Sequence, residues 1–339
     1  MKNIDELYMK RCLQLAGMAE GHTSPNPMVG AVVVCDGRII GEGYHRRCGE
    51  PHAEVNAIAS VRDKSLLSRS TIYVSLEPCS HYGKTPPCCD LIITSGIQRV
   101  VVGCLDPFPE VSGRGVRRLR EHGIEVITGI LEEECIQLNR KFITFHSLHR
   151  PYITLKWAQS RNGYIDRERE AHEKPTLFST PTTRAWSHRL RATNDAIVVG
   201  TNTVLTDNPS LTVRYWSGKN PLRITLDRHG RIPTNATILD GSTPTLIIKE
   251  YDSTTGNASS LRALIQRLRE LNIQSLIVEG GRELLQSFID NNLWDEARIE
   301  ITPRKLNNGI AAPHIDGETI KCNNHHYSHN TLILRNNQK

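Results

Sequence analysis

The sequence predicts two consecutive α/β domains, the first built on a mostly parallel sheet covered by helices on both faces. Three observations lead there. The chain has 339 residues, and at roughly 150 residues per domain that length suits two globular units. Short apolar, β-branched runs alternate with segments of helical period along its whole length, which implies right-handed crossovers between parallel strands. Finally, His149-Arg150-Pro151 interrupts a helical pattern, because proline disfavours helix at the residue before it, and a fresh strand pattern starts immediately afterwards.

Leu7, Cys12, Leu15, Ala16 and Ala19 recur at near-helical spacing, so residues 5–20 predict an amphipathic helix ended by Gly21. Val29–Cys35 is an apolar run, Asp36-Gly37 a hairpin turn, and Arg38–Tyr44 the returning strand. Helix follows over about 52–62, strand 71–76, helix 88–95, strand 99–104, helix 115–122, strand 124–128 and one helix over 131–148. In the second half the pattern predicts strand 152–158, helix 182–191, strands 196–200, 222–227 and 245–249, helix 261–271, strand 275–279, helix 283–291, and strands near 297–302 and 331–335. The hydroxyl-rich stretch 200–214 and the polar stretch 252–260 read as loops.

Composition narrows the function. No run approaches the roughly 18 apolar residues needed to span a bilayer, and the first 18 residues mix charge with apolar positions, so a cytoplasmic protein without a membrane partner is expected. The net charge of +6 splits into 18 Lys+Arg against 17 Asp+Glu before residue 151 and 24 against 19 after it. That mild surplus, without a long basic run, suits small phosphorylated ligands at least as well as a nucleic acid. Nine cysteines, eight of them in the first 150 residues, belong to no small secreted disulfide scaffold, so metal ligation is the first reading for some of them.

The metal signal is Pro51-His52-Ala53-Glu54 followed by Glu77-Pro78-Cys79 and then Cys88. One imidazole and two thiolates leave the fourth tetrahedral position of a zinc ion open to water, the arrangement of a catalytic rather than a structural site. Glu54, two residues beyond the histidine, is placed to move protons without ligating. His-x-Glu with Pro-Cys is the signature of zinc deaminases acting on amino-substituted heterocycles. Eight residues separate Cys79 from Cys88, where nucleic-acid and nucleoside deaminases commonly have two. The inserted loop carries His81 and Lys84, either solvated loop residues or a cationic pair for a substrate phosphate. In the second half, Ile277-Val278-Glu279-Gly280-Gly281-Arg282 runs a strand into a helix through paired glycines, which is either a tight turn or a phosphate cradle.

The chain resembles the bifunctional riboflavin-biosynthesis enzymes that join a pyrimidine deaminase to a pyrimidine reductase. The resemblance rests on the runs Thr23–Gly30, Gly43-Tyr44-His45, Gly49–Glu54 and Glu77–Cys88, and on Gly200–Arg214 in the second half. It implies a cytidine-deaminase-like three-layer fold for residues 1–148 and a dihydrofolate-reductase-like fold for residues 149–339. The implied cofactors are zinc and NADPH, the implied substrates small phosphorylated pyrimidines, and the expected assembly a homo-oligomer. By the same resemblance His52, Cys79 and Cys88 hold zinc, Glu54 shuttles protons, and Asn26, His45, His81 and Lys84 contact base or ribose phosphate. From the residues alone, Asn26 equally suits a turn. In the reductase half, Ala158, Thr203, Asp207 and the turn Gly281, Arg282, Glu283, Leu284, Leu285, Gln286 and Ser287 are expected to meet NADPH. Arg191, Leu211, Arg214 and Glu279 are expected to meet substrate. Two arginines suit a ribose phosphate, or alternatively surface ion pairs.

The chain departs from the family where Ser-Leu-Asp-Gly reads Ser160-Arg161-Asn162-Gly163, and where a Ser and a Trp are replaced by Pro175 and Leu177. Two rival readings follow. One is a nucleic-acid base deaminase with an accessory domain, disfavoured by 5% aromatic content; the other is a deaminase whose second domain is an inactive scaffold.

Overall fold

The computed structural model describes residues 2–82, 86–107, 112–169, 173–249, 257–325 and 329–337. It comprises two compact units, Met1–His149 and Arg150–Lys339. Arg150 opens the second unit. Its guanidinium grips the Asp295 carboxylate through two hydrogen bonds of 2.7 and 2.9 Å, and Asp295 also accepts from the Ile153 N–H at 2.8 Å.

The first unit runs α1 (Lys2–Gly17), β1 (Gly30–Cys35), β2 (Arg38–Tyr44), α2 (Ala53–Ser60), β3 (Thr71–Leu76), α3 (Cys88–Thr94), β4 (Arg99–Cys104), α4 (Arg114–Glu121), β5 (Glu125–Thr128), α5 (Glu132–Leu138) and α6 (Arg140–Leu148). Its sheet has the order β2-β1-β3-β4-β5. Strand alternation sorts the side chains: Ala31, Val33, Ile72, Val74, Val100 and Val102 pack under α2, α3 and α4, whereas Val32, Val34, Tyr73, Val101 and Cys104 pack under α1 and α5. Both faces of the sheet are therefore covered, giving three layers, and each buried aliphatic side chain contributes roughly 1.5–3 kcal/mol.

The sheet is less parallel than expected. β1 pairs antiparallel with both β2 and β3, and only β3–β4 and β4–β5 are parallel. The tight Asp36-Gly37 hairpin forces the first reversal. The crossover through α2 then carries the chain over β1, so that β3 enters on its far side.

The expected single helix over 131–148 is two helices broken at Asn139, whose side chain is used elsewhere. Its Oδ1 accepts from the Met28 N–H at 2.8 Å and its Nδ2 donates to the Met28 carbonyl at 2.9 Å. Helical period is indifferent to such a clamp because its partner lies 111 residues away.

The second unit runs β6 (Tyr152–Gln159), β7 (Tyr164–Asp166), α7 (Pro181–Ala192), β8 (Ala196–Gly200), α8 (Thr201–Asp207), β9 (Leu222–Leu226), β10 (Thr245–Ile248), α9 (Asn257–Glu270), β11 (Ser275–Glu279), α10 (Arg282–Asp290), β12 (Glu296–Ile301), β13 (Ile310–Ala311), β14 (Glu318–His325) and β15 (His329–Arg335). Eight strands form one sheet in the order β10-β9-β8-β11-β6-β12-β15-β14, parallel from β10 to β12 and antiparallel thereafter. Leu261, Leu264, Leu268, Leu285 and Phe288 of α9 and α10 cover one face, and Leu190 of α7 with Val204 of α8 covers the other.

Three expectations are corrected here. Residues 201–207 of the hydroxyl-rich stretch form α8, because Gly200 ends β8 in an extended conformation from which a helix can start. Residues 257–260 of the polar stretch belong to α9, while 252–256 lie outside the described residues. The unanticipated β14 is the edge strand of the sheet. Its sequence ETIKCNNH has no apolar face to betray it.

Candidate functional site

In the first unit, His52 immediately precedes α2, Glu54 lies in its first turn, Cys79 follows β3 and Cys88 opens α3. The ligating atoms of His52, Cys79 and Cys88 lie within 4.8 Å of one another. His52 Nδ1 is 3.3 Å from Cys88 Sγ and 3.6 Å from Cys79 Sγ, so Nδ1 is the nitrogen turned to the sulfurs. The Cys88 N–H donates to Cys79 Sγ at 3.3 Å.

The Cys79 thiol is held well below its ordinary range, at about 4, chiefly by hydrogen bonding from Cys88. Cys88 is driven up by that same neighbour and by burial, and Glu54 is pushed up to about 7 by burial and by the Cys79 thiolate. The sulfurs of half-buried Cys79 and buried Cys88 lie beside a 3% exposed carboxylate, and the negative charge these groups carry when ionised is what a divalent cation neutralises. The donor set of one nitrogen and two sulfurs fits zinc, with a coordination position to spare.

Two further clamps hold this centre. Glu77, 5% exposed, accepts from four backbone N–H groups, those of Asp106, Gly113, Gly115 and Val116, at 2.8–3.2 Å. It thereby ties the segment carrying Cys79 to the start of α4. Gly115 is obligatory at that contact, since a Cβ there would lie 2.2 Å from the Pro78 carbonyl oxygen. The Asn139 clamp on Met28 holds the loop that presents Asn26. Asn26 Nδ2 lies 3.1 Å from His45 Nε2, and His45 Nδ1 lies 3.2 Å from the Pro51 carbonyl. The carbonyl can only accept, so the proton sits on His45 Nδ1 and Nε2 accepts from Asn26. The His45 and His52 rings meet edge to face at 5.5 Å. His81 is exposed, and Lys84 lies outside the described residues.

In the second unit a cavity of about 1310 Å³ opens at the carboxyl ends of the parallel strands, where open α/β sheets bind ligands. Ala158, Thr203, Asp207, Glu279, Gly281 to Leu284, Gln286 and Ser287 line it. Leu285 does not: its side chain is wholly buried in the core, as the helical period of α10 requires. Gly280, with φ +131°, brings the β11–α10 turn against α8, where a Cβ would meet Thr203 Oγ1 at 3.0 Å. The first turn of α10 leaves N–H groups without intrahelical partners, and with this glycine cradle it fits a dinucleotide phosphate. Asp207 is ion-paired to Arg169, which also pairs with Asp166.

Arg191 pairs with Glu279, Nη2 to Oε2 at 2.8 Å, and donates to the Thr212 carbonyl at 3.2 Å. Burial pushes Glu279 up, but Arg191 and Lys156 outweigh it and hold the carboxylate below its ordinary range. Leu211 is buried in the core with φ +54°.

The family model described as the RibD C-terminal domain matches residues 151–333, and the cytidine and deoxycytidylate deaminase zinc-binding region matches residues 2–104. The riboflavin biosynthesis protein RibD of Aquifex aeolicus is 41% identical over 92% of this chain and 90% of its own length. That of Escherichia coli is 37% identical over 89% and 88%. The chain belongs to the RibD family. It is a bifunctional riboflavin-biosynthesis deaminase and reductase with zinc and NADPH as cofactors. The crystal structure of a Thermotoga maritima diaminohydroxyphosphoribosylaminopyrimidine deaminase/5-amino-6-(5-phosphoribosylamino)uracil reductase superposes with a TM-score of 0.88 at 37% identity, covering 99% of each chain. The RibD structure of Acinetobacter baumannii superposes with a TM-score of 0.88 at 31% identity. The cytidine-deaminase-like and dihydrofolate-reductase-like folds follow from these matches.

Against this RibD background the departures acquire physical content. Asn162 Nδ2 donates to the Leu306 carbonyl at 2.7 Å and its Oδ1 accepts from the Leu306 N–H at 3.1 Å. A carboxylate in the same place would lack the donor, so the asparagine is a two-point clamp on the chain leading to β13. Pro175 and Leu177 line the cavity, and Leu177 is 65% exposed.

Glu77, Asn139, Lys156 and His188 support these sites although the sequence assigns none of them a role. Lys156 carried a signal, being the only charge in the apolar strand Tyr152–Gln159. His188 carried none. It is 3% exposed, its Nδ1 accepts from the Arg214 N–H at 2.9 Å, and its ring meets Tyr215 edge to face.

Burial, then the charges of Arg191 and Arg214, lower His188 to about 4. As pH falls, the unfolded chain takes up this proton first, near its ordinary 6.5. The stability contribution is therefore complete above that value and is lost progressively towards about 4. Its full size is on the order of 3 kcal/mol. His188→Asn, which keeps an acceptor but cannot titrate, is expected to flatten the dependence; urea unfolding of both proteins at pH 5 and pH 7.5 measures the difference.

Proposed function

We propose that the first unit deaminates 2,5-diamino-6-(5-phosphoribosylamino)pyrimidin-4-one and that the second reduces the ribosyl group of its product to ribityl. The observation that carries the reading is the convergence of His52, Cys79 and Cys88 beside the buried Glu54. These three would hold zinc, which supplies a Lewis acid that makes water nucleophilic near neutral pH. Glu54, raised to about 7, takes a proton from the attacking water and returns it to the departing amine; an acid poised there serves both directions. Neutral His45, fixed by Asn26 and Pro51, orients the base, and His81 with Lys84 takes the ribose phosphate.

In the second unit NADPH would supply the hydride. Positioning is the protein's part: Ala158, Thr203, Asp207 and the turn from Gly281 to Ser287 seat the cofactor, Leu285 through its backbone. Arg191, Arg214, Glu279 and the Leu211 backbone seat the substrate, with Arg214 held by His188. Small phosphorylated pyrimidines rather than nucleic acid are the ligands. We read the protein as cytoplasmic, where thiols stay reduced, and as a homo-oligomer. Incubating the purified protein with the diaminopyrimidine phosphate, with and without NADPH, is expected to give first exchange of NH for O and then gain of two hydrogens by mass. Deamination without any NADPH-dependent product would favour the scaffold reading of the second unit.

A further inference from the structure

We propose that Arg228, Arg231 and Lys249 form a subsite for the 2′-phosphate that distinguishes NADPH from NADH. The inference rests on the cofactor reading above and adds where one end of the molecule lies and what selects it. All three side chains line the cavity at the carboxyl ends of the parallel strands.

The order of the sheet dictates which end of a dinucleotide reaches them. Hydride transfer requires the nicotinamide to sit beside the substrate. The groups assigned to substrate cluster at the ends of β6 and β11, where Lys156 and Arg191 both act on Glu279. The paired glycines and the first turn of α10 then receive the pyrophosphate. The remaining strand ends are those of β8, β9 and β10, on the side of β11 away from β6, and the adenosine has nowhere else along the sheet to go. Four strand intervals separate β6 from β10, roughly 19 Å at about 4.8 Å each. No cation at the substrate end can serve a phosphate at the other.

Strand register brings the three cations together. Leu226 is paired with Ile248, and the Asp227 N–H donates to the Ile248 carbonyl at 2.9 Å. Arg228 and Lys249 consequently leave the sheet from neighbouring strand ends. The buried Asp227 carboxylate accepts from the N–H groups of Arg231 and Ile232, each at 3.0 Å, which folds the chain back so that Arg228 and Arg231 spring from one turn. Arg231 Nη2 reaches Asn202 Oδ1 of α8 at 3.1 Å, keeping its guanidinium on the cavity side.

Of the acids that line this cavity, Asp207 and Asp166 pair with Arg169 and Glu279 pairs with Arg191. A site built for NADH places a carboxylate on the ribose 2′-hydroxyl, whereas arginine accommodates a 2′-phosphate. Here the strand end carries arginine and lysine, whose charge-assisted hydrogen bonds suit a phosphate dianion.

Adenosine 2′,5′-bisphosphate and 5′-AMP differ only in the group at issue, so calorimetric titration of the full-length protein with each isolates it. The bisphosphate is expected to bind at least tenfold more tightly, and Arg228→Gln/Lys249→Gln is expected to cut that ratio to below threefold while near-UV circular dichroism stays that of the parent. Arg231→Gln should lower it partially. NADPH and NADH, titrated by fluorescence, should show the same loss of discrimination. If the parent binds NADPH and NADH equally, or the double variant keeps the full ratio, the subsite is wrong and the cofactor reading stands. Binding of neither dinucleotide would overturn both.

Discussion

Glu54→Gln is expected to lower the rate of ammonia release by roughly 10²–10⁴-fold, the range of general acid–base catalysis, while zinc content and NADPH-dependent reduction stay unchanged. The reasoning is spatial. The Glu54 side chain is 3% exposed and pushed up to about 7 by burial and the Cys79 thiolate. It is thus placed to carry a proton beside the three candidate ligand atoms. Glutamine has the same shape and leaves His52, Cys79 and Cys88, whose atoms converge on one point, all in place, so the ion is expected to stay. Metal analysis beside an ammonia assay decides the matter. Full activity would remove Glu54 from the reaction, and loss of zinc would make it part of the metal's support instead.

Replacing Glu77 is expected to have the largest effect on the architecture of the site. Glu77→Ala strips four backbone N–H groups of their acceptor. Breaking such a buried charged cluster from one side costs about 3–5 kcal/mol. Because Pro78 and Cys79 follow directly, zinc affinity should fall with stability. Glu77→Gln keeps one acceptor oxygen but turns an amide NH₂ towards N–H groups that need acceptors, so an intermediate loss is expected. Urea unfolding and chelator competition measure the two effects. Parent-like zinc affinity in the alanine variant would show that Cys79 is held by something else.

These two residues mark how far reading the chain reaches. His52, Cys79 and Cys88 are legible as candidate ligands because a metal dictates donor types and each donor sits in a recognisable short motif, the first of which also carries Glu54. Most strands and helices were legible for a related reason: burial on two faces leaves an apolar pattern of period two or near 3.6. Glu77 stands inside the Glu-Pro-Cys motif with nothing local to reveal its role, since its four partners are backbone N–H groups 29–39 residues further on. Asn139 looked like any residue of a helix. His188 is one imidazole in a helix whose partner is 26 residues away.

The composition, the spacing of His-x-Glu, Pro-Cys and Cys, and the alternation of strand and helix determined two α/β units and a zinc-type deamination centre by themselves. Only the tertiary structure decided that β1 runs against both neighbours, that Leu285 faces the core, and that Arg228, Arg231 and Lys249 line one cavity. The physical reason is the same in each case. Local patterns report which face of an element is buried, whereas strand order, crossover path and long-range polar clamps depend on what the rest of the chain places opposite that face.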